Sequence, residues 1–147
     1  MESELVHLAK YFGIDLLCYA ILSKNYHLVL RSRPDVVAAR DDSEVARRWI
    51  LCPKSKNEDR SAKEPNECEL NSIRNDPGKV TTIRTRLSDV AWWMRLLCQS
   101  IGTRAHKEDR EVGKFFQGRY RAVRILDEAT LLACSDYVDL NLIRAAI

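Results

Sequence analysis

Two apolar runs set close together constrain this chain most. Ile14 to Leu22 and Tyr26 to Arg31 are each about a strand long, and the Ser23-Lys24 link between them is short. Runs of this length, rich in branched and aromatic residues, read as strands, and the link is short enough for a hairpin. Neither Ser23 nor Lys24 favours the positive φ of the commonest tight turns. The longest apolar stretch, Phe12 to Leu22, contains Asp15 and is too short to span a bilayer.

Helical signals surround the hairpin. Ser3 can cap a helix carrying Leu5, Val6, Leu8, Ala9 and Phe12 at helical spacing, and Gly13 can end it. A helix over 43–51 follows, with Asp42 or Ser43 as its cap and Val45, Ala46 and Trp49 on one face. Residues 53–68 are polar, contain two prolines and read as an exposed loop. A short helix is expected around 69–75. Asp76-Pro77 has the form of a cap and first-turn proline for a helix to about Leu87. Ser88 is the expected cap of a longer helix to about Arg104, with Val90, Trp93, Met94 and Leu97 on its apolar side. His106–Gly113 is charged and reads as a loop. In Arg119 to Leu126, Tyr120, Val123 and Ile125 suit a third strand. Asp127 caps the last helix, whose Leu131, Leu132, Cys134 and Val138 can face the core. The order α-β-β-α-α-α-β-α is an α+β pattern, expected as a small antiparallel sheet with helices on one side.

At 147 residues the chain fits one domain, 1–147, and can bury a core without staples. Its composition, 46% hydrophobic and 31% charged with few Gly and Pro, excludes a disordered tail, a collagen-like chain and a coiled-coil rod. The five cysteines form no CxxC pair and are odd in number, so reduced thiols are expected rather than a zinc ribbon or a disulfide framework. No basic stretch and cleavage site frame a leader at the start. A soluble cytoplasmic protein without a membrane partner is expected. The net charge is only +3, but it is uneven: residues 79–124 carry 11 basic and 4 acidic groups, a local +7, whereas 125–147 carry 1 basic and 4 acidic, −3. A local excess of this size can attract a polyanion, although basic residues on solvated helices produce the same count without binding anything.

Three groups of residues could carry chemistry. His27 lies in the second apolar run, where alternation puts Asn25 on the same face. An imidazole and an amide there could hold a hard cation or simply bond to each other. His7 and His106 have no ligand-spaced partner and read as ordinary surface or hydrogen-bonded histidines. Tyr137 and Asn141 share a helix face at i, i+4, flanked by Asp136 and Asp139. The segment 113–124, GKFFQGRYRAVR, holds Lys114, Arg119, Arg121 and Arg124 with Phe116 and Tyr120 among its aromatics and no acid. Cations can track phosphates and rings can stack on bases, but a core aromatic pair with solvated arginines would look the same.

These pieces, in this order, resemble the REP-associated branch of the single-tyrosine transposases, within the His-hydrophobic-His superfamily of DNA strand nucleases. The resemblance is clearest in IDLLCYAILSKNYHLVLRSRPDVV (14–37), RLSDVAWWMRLL (86–97) and GKFFQGRYRAVRILDEATLLACSDYVDLNLIRA (113–145). It implies a ferredoxin-like sheet in which two histidines bind a divalent cation, Mg²⁺ or Mn²⁺, and a tyrosine attacks the scissile phosphate. The product is a 5′-phosphotyrosine and a free 3′-OH. By this resemblance Tyr137 is the nucleophile, and His27, Asn25 and Asn141 are the metal ligands. Single-stranded or hairpin DNA is the partner, contacted by Lys114, Arg119, Arg121, Arg124, Phe116 and Tyr120. A homodimer is left open.

The chain departs from the family pattern in stated places. Asn25 stands where the first histidine is usual, beside Lys24. Leu142 stands for the proline after Asn141, and Gln117 for a glutamate often found in the aromatic turn. The first strand of the family sheet is expected to be missing. Weak metal binding and impaired cleavage follow as expectations. The open alternatives are a DNA-cutting transposase, a DNA-binding remnant that no longer cuts, and an inactive fragment.

Overall fold

The computed structural model describes residues 2–22, 25–52, 64–109, 116 and 118–145. Within these, seven helices and a two-stranded antiparallel sheet form a mixed α+β structure. The helices are α1 (Glu2–Tyr11), α2 (Pro34–Ala38), α3 (Asp42–Leu51), α4 (Glu67–Arg74), α5 (Pro77–Leu87), α6 (Val90–Asp109) and α7 (Glu128–Ala145); the strands are β1 (Ile14–Ile21) and β2 (Tyr26–Ser32).

The hairpin forms as its apolar runs predict. Leu16 faces Leu30, Ala20 faces His27, and the Leu22 N–H donates to the Asn25 carbonyl at 2.8 Å. Asp15 and Arg31, register partners, also form an ion pair at 2.6 Å. The Ser23-Lys24 link lies outside the described residues. A bulge between Leu16 and Cys18 interrupts the alternation of β1. It puts Leu16, Tyr19 and Ile21 on one face and Cys18 and Ala20 on the other, where strict alternation would keep Leu16 with Cys18 and Ala20.

Both faces of the sheet are covered by helices, not one as the sequence suggested. Leu16, Tyr19, Ile21, Tyr26, Leu28 and Leu30 pack with Leu5, Leu8 and Phe12 from the α1 side and Trp93, Leu97 and Ile101 of α6. On the opposite face Ala20 and Val29 are sealed by Val138 of α7, with Cys18, Ile125, Leu131 and Cys134 around them. A two-stranded hairpin is marginal alone in water, so these two layers hold it. A third cluster joins Val37, Val45, Val80, Ile83 and Leu87 of α2, α3 and α5.

Other expectations shift by identifiable causes. No third strand forms at Arg119 to Leu126: the segment is irregular, and Val123 and Leu126 are 90% and 79% exposed. Of its alternating residues, Ile125 alone reaches a core cluster. α6 continues through His106, where a loop was predicted, and the unpredicted α2 starts with Pro34 in its first turn. The caps move by a residue or two. Asp41 accepts from the Glu44 N–H at 2.8 Å to cap α3, and Asp89, not Ser88, accepts from the Ala91 N–H at 2.8 Å ahead of α6. Asp76 caps α5 as expected, accepting from the Lys79 N–H at 3.1 Å. Residues 64–66 precede α4 without regular structure, and 53–63 lie outside the described residues. All five cysteines are free thiols. No helix among the described residues is long and apolar enough to cross a membrane.

Candidate active site between sheet and last helix

Asp127 starts the site by anchoring α7. Its carboxylate accepts from the Thr130 N–H at 2.7 Å and the Thr130 hydroxyl at 2.8 Å. The backbone hydrogen bond to Thr130, then that hydroxyl, hold this carboxyl below its ordinary pKa of 3.8. The stabilisation is therefore complete above that ordinary value and is lost as pH falls through the lower folded-state value. The protection factors of the first-turn amides of α7, taken against the intrinsic exchange rate at each pH, are expected to fall as pH drops below the ordinary carboxylate value, and less so in Asp127→Asn, whose cap carries no titrating group. An equal fall in both would remove this carboxylate as the cause.

From Leu131 onward, the helix turns its small and apolar residues to the sheet. Leu131, Cys134 and Val138 are buried or half-buried there, while Leu132, predicted to face the core, is 60% exposed. Ser135 lies on this inner side as well. Its hydroxyl bonds the Leu131 carbonyl at 3.0 Å and accepts from the Cys18 thiol at 3.6 Å, so it ties α7 to β1. Sequence reading passed over Ser135; the signal was its place three residues before Val138, on the same stripe.

Docking α7 in this way brings Tyr137 to His27. Their rings meet edge to face, with centroids 5.6 Å apart and planes at 84°. His27 points to the α7 side of β2 because it alternates with Tyr26 and Leu28, which face the other cluster. Tyr137 is 51% exposed, so a substrate can approach it. Tyr26, on the other face, is half-buried: burial, and then its hydrogen bond with the Cys98 thiol, push its phenol well above the ordinary pKa.

Asn141, half-buried one turn beyond Tyr137, donates from Nδ2 to the Tyr137 carbonyl at 2.8 Å. With its amide nitrogen committed to the helix, the Oδ1 atom is left for an outside partner. Asn25 is exposed just ahead of β2, and strand alternation gives it the face of His27. An imidazole nitrogen and two amide oxygens fit a hard divalent cation in kind. None of the three is an anionic ligand, and no group of three or more His, Cys, Asp or Glu among the described residues could hold a metal.

The basic segment leads into this helix. Arg119, Arg121 and Arg124 are exposed and make no ion pair among the described residues. Tyr120 is 41% exposed. Phe116, expected as a stacking platform, is instead half-buried with its ring 6.2 Å from that of Tyr26, so core packing occupies it. Lys114 and Gln117 lie outside the described residues. Asp136 and Asp139 are exposed on α7 and place negative charge beside Tyr137. The remaining histidines have ordinary roles or none: the His7 ring is 4.9 Å from Tyr11 and its Nε2 reaches the Cys52 carbonyl at 3.3 Å, and His106 lies on α6.

Fold and site together define a class, an α+β protein with a tyrosine–histidine pair held between a hairpin and its covering helix. No family model, curated protein or solved structure matches the chain.

Proposed function

We propose that this protein binds single-stranded or hairpin DNA and acts on its backbone through Tyr137, in the manner of a single-tyrosine transposase. One observation carries the reading: Tyr137 and His27, far apart in the sequence, are in ring contact while Tyr137 stays open to solvent.

In this reading the arginines at 119, 121 and 124 draw the strand toward α7. The Tyr137 hydroxyl then attacks a backbone phosphorus. An Oη–P bond forms, the P–O3′ bond breaks, and the 3′ oxygen leaves as a hydroxyl after gaining a proton. A phenol is a weak nucleophile near neutrality and must lose its proton to react. His27 orients the phenol ring and is the basic side chain beside it. His27, Asn25 and Asn141 are the residues that would hold a divalent cation, which when bound would neutralise charge on the phosphate.

A donor set with one imidazole and no carboxylate favours a second reading, a DNA-binding protein in which cutting has become slow or absent. A hairpin oligonucleotide incubated with Mg²⁺ or Mn²⁺ separates the two. A covalent adduct that maps by peptide mass spectrometry to Tyr137 supports cleavage. A salt-sensitive complex without adduct supports the second reading. An adduct on any other residue, or no complex at low salt, refutes both.

A further inference from the structure

We infer that Arg86 and Arg95, stacked on Trp92, form a second contact surface for single-stranded nucleic acid, on the side of the sheet opposite Tyr137. The inference rests on the proposed reading of the chain as a DNA-binding protein.

Trp92 lies on α6 and packs with the cluster on the far face of the sheet from α7. The Arg86 guanidinium carbon lies 4.5 Å from its ring centroid and 5.6 Å from that of Trp49, and the Arg95 guanidinium carbon lies 4.9 Å from the Trp92 centroid. The two indoles meet edge to face at 5.9 Å. Neither arginine has a carboxylate partner among the described residues, in contrast to Arg31, Arg33, Arg47, Arg48, Arg74 and Arg84, which all pair with acids. Two unpaired guanidiniums are thus held in place by aromatic stacking.

Held over the indoles without a carboxylate partner, these cations can offer their N–H groups to phosphate oxygens. Arg95, exposed and near Trp92 alone, can also receive a base against its guanidinium. Beside Arg86 and Trp49 runs an open groove of about 720 Å³, floored by Ile73 and Ile83 and edged by Lys79 and Thr82. Lys79, which also approaches Asp76 at 3.7 Å, adds a third cation at the edge. Cations at the rim, an apolar floor and stacked planar groups suit a phosphodiester chain with unpaired bases. An acidic peptide would use the charges and not the stacking planes.

The test measures binding of oligo(dT) of about 30 nucleotides across a salt series. The double variant R86Q/R95Q is expected to lose about tenfold in affinity, with a salt slope shallower by about 1.4, two phosphate contacts' worth. R86K/R95K keeps the charge and loses the planar stack; it is expected to recover the salt slope but not the quenching of tryptophan fluorescence by the oligonucleotide. Near-UV circular dichroism verifies that both variants fold. Unchanged affinity and slope in R86Q/R95Q, with binding lost in R121Q/R124Q, overturns this surface and leaves the proposed function standing. Competition by polyglutamate as strong as that by oligo(dT) also overturns it. No oligonucleotide binding by the wild-type chain removes the proposed function itself.

Discussion

Asn25→His is expected to raise the yield of covalent protein–DNA adduct by roughly 10–100-fold in the presence of Mn²⁺, the span over which metal-site partners change affinity or activity. The substitution exchanges an amide oxygen for an imidazole nitrogen two residues before His27, on the same face of β2. Both imidazoles would then face α7, where Tyr137 stands 5.6 Å from the His27 ring. Because Asn25 is exposed and lies ahead of the strand, a larger ring there displaces no core residue. Adding Tyr137→Phe in the same chain is expected to abolish the adduct while leaving non-covalent binding intact, since only the hydroxyl is removed. The readout is adduct on a denaturing gel, quantified against time. If Asn25→His binds hairpin DNA as the parent does and still forms no adduct, the weak donor set is not what limits cleavage, and the DNA-binding reading takes precedence.

Gly13→Ala is expected to destabilise the protein by about 3 kcal/mol, the upper part of the usual range for overpacking. A Cβ at Gly13 would stand 2.3 Å from Val37 Cγ2 and 2.8 Å from the Arg33 carbonyl oxygen. Val37 is 1% exposed and β-branched, so it has little room to turn aside, and the carbonyl belongs to the backbone. Gly13 cannot retreat, because its N–H donates to the Leu87 carbonyl and its own carbonyl accepts from the Arg33 N–H, both at 2.8 Å. The contact joins the α1–β1 connection, the start of α2 and the end of α5 at one point. The thermal midpoint is expected to fall by about 6–12 °C for a chain of this size. A fall of less than a degree or two would mean that Val37 and the α2 backbone yield easily.

What could be read from residues alone follows from how local each cause is. Asp76-Pro77 and Asp127 announce helix starts because a cap acts on its own first turn, and both helices form where these residues put them. Asp41, Asp42 and Ser43 compete for one cap, as do Ser88 and Asp89, and adjacent candidates differ by geometry that sequence does not carry. The aromatic and β-branched residues Tyr120, Val123 and Ile125 suit a strand by type, but a strand needs a neighbour to bond, and the segment forms no ladder among the described residues. The bulge at β1 has no marker in the run IDLLCYAI (14–21), because every residue from Leu16 to Ile21 is acceptable on either face. The nearness of Tyr137 and His27 is long-range and was implied by family resemblance, whereas the stack of Arg95 on Trp92 could have been read from their i, i+3 spacing on a helix.

Of the three apolar clusters among the described residues, the one beneath α7 is the smallest, with Ala20, Val29 and Val138 as its buried residues. Regions with few enclosed apolar groups open at lower free energy than the rest of a molecule. The helix bearing the tyrosine is therefore expected to loosen from the hairpin before the α1–α6 layer opens, which protection factors of the α7 amides would show. A ligand that grips both the arginines ahead of this helix and its exposed tyrosine would draw the equilibrium back to the seated form, so binding and the ordering of the reactive group would be thermodynamically linked.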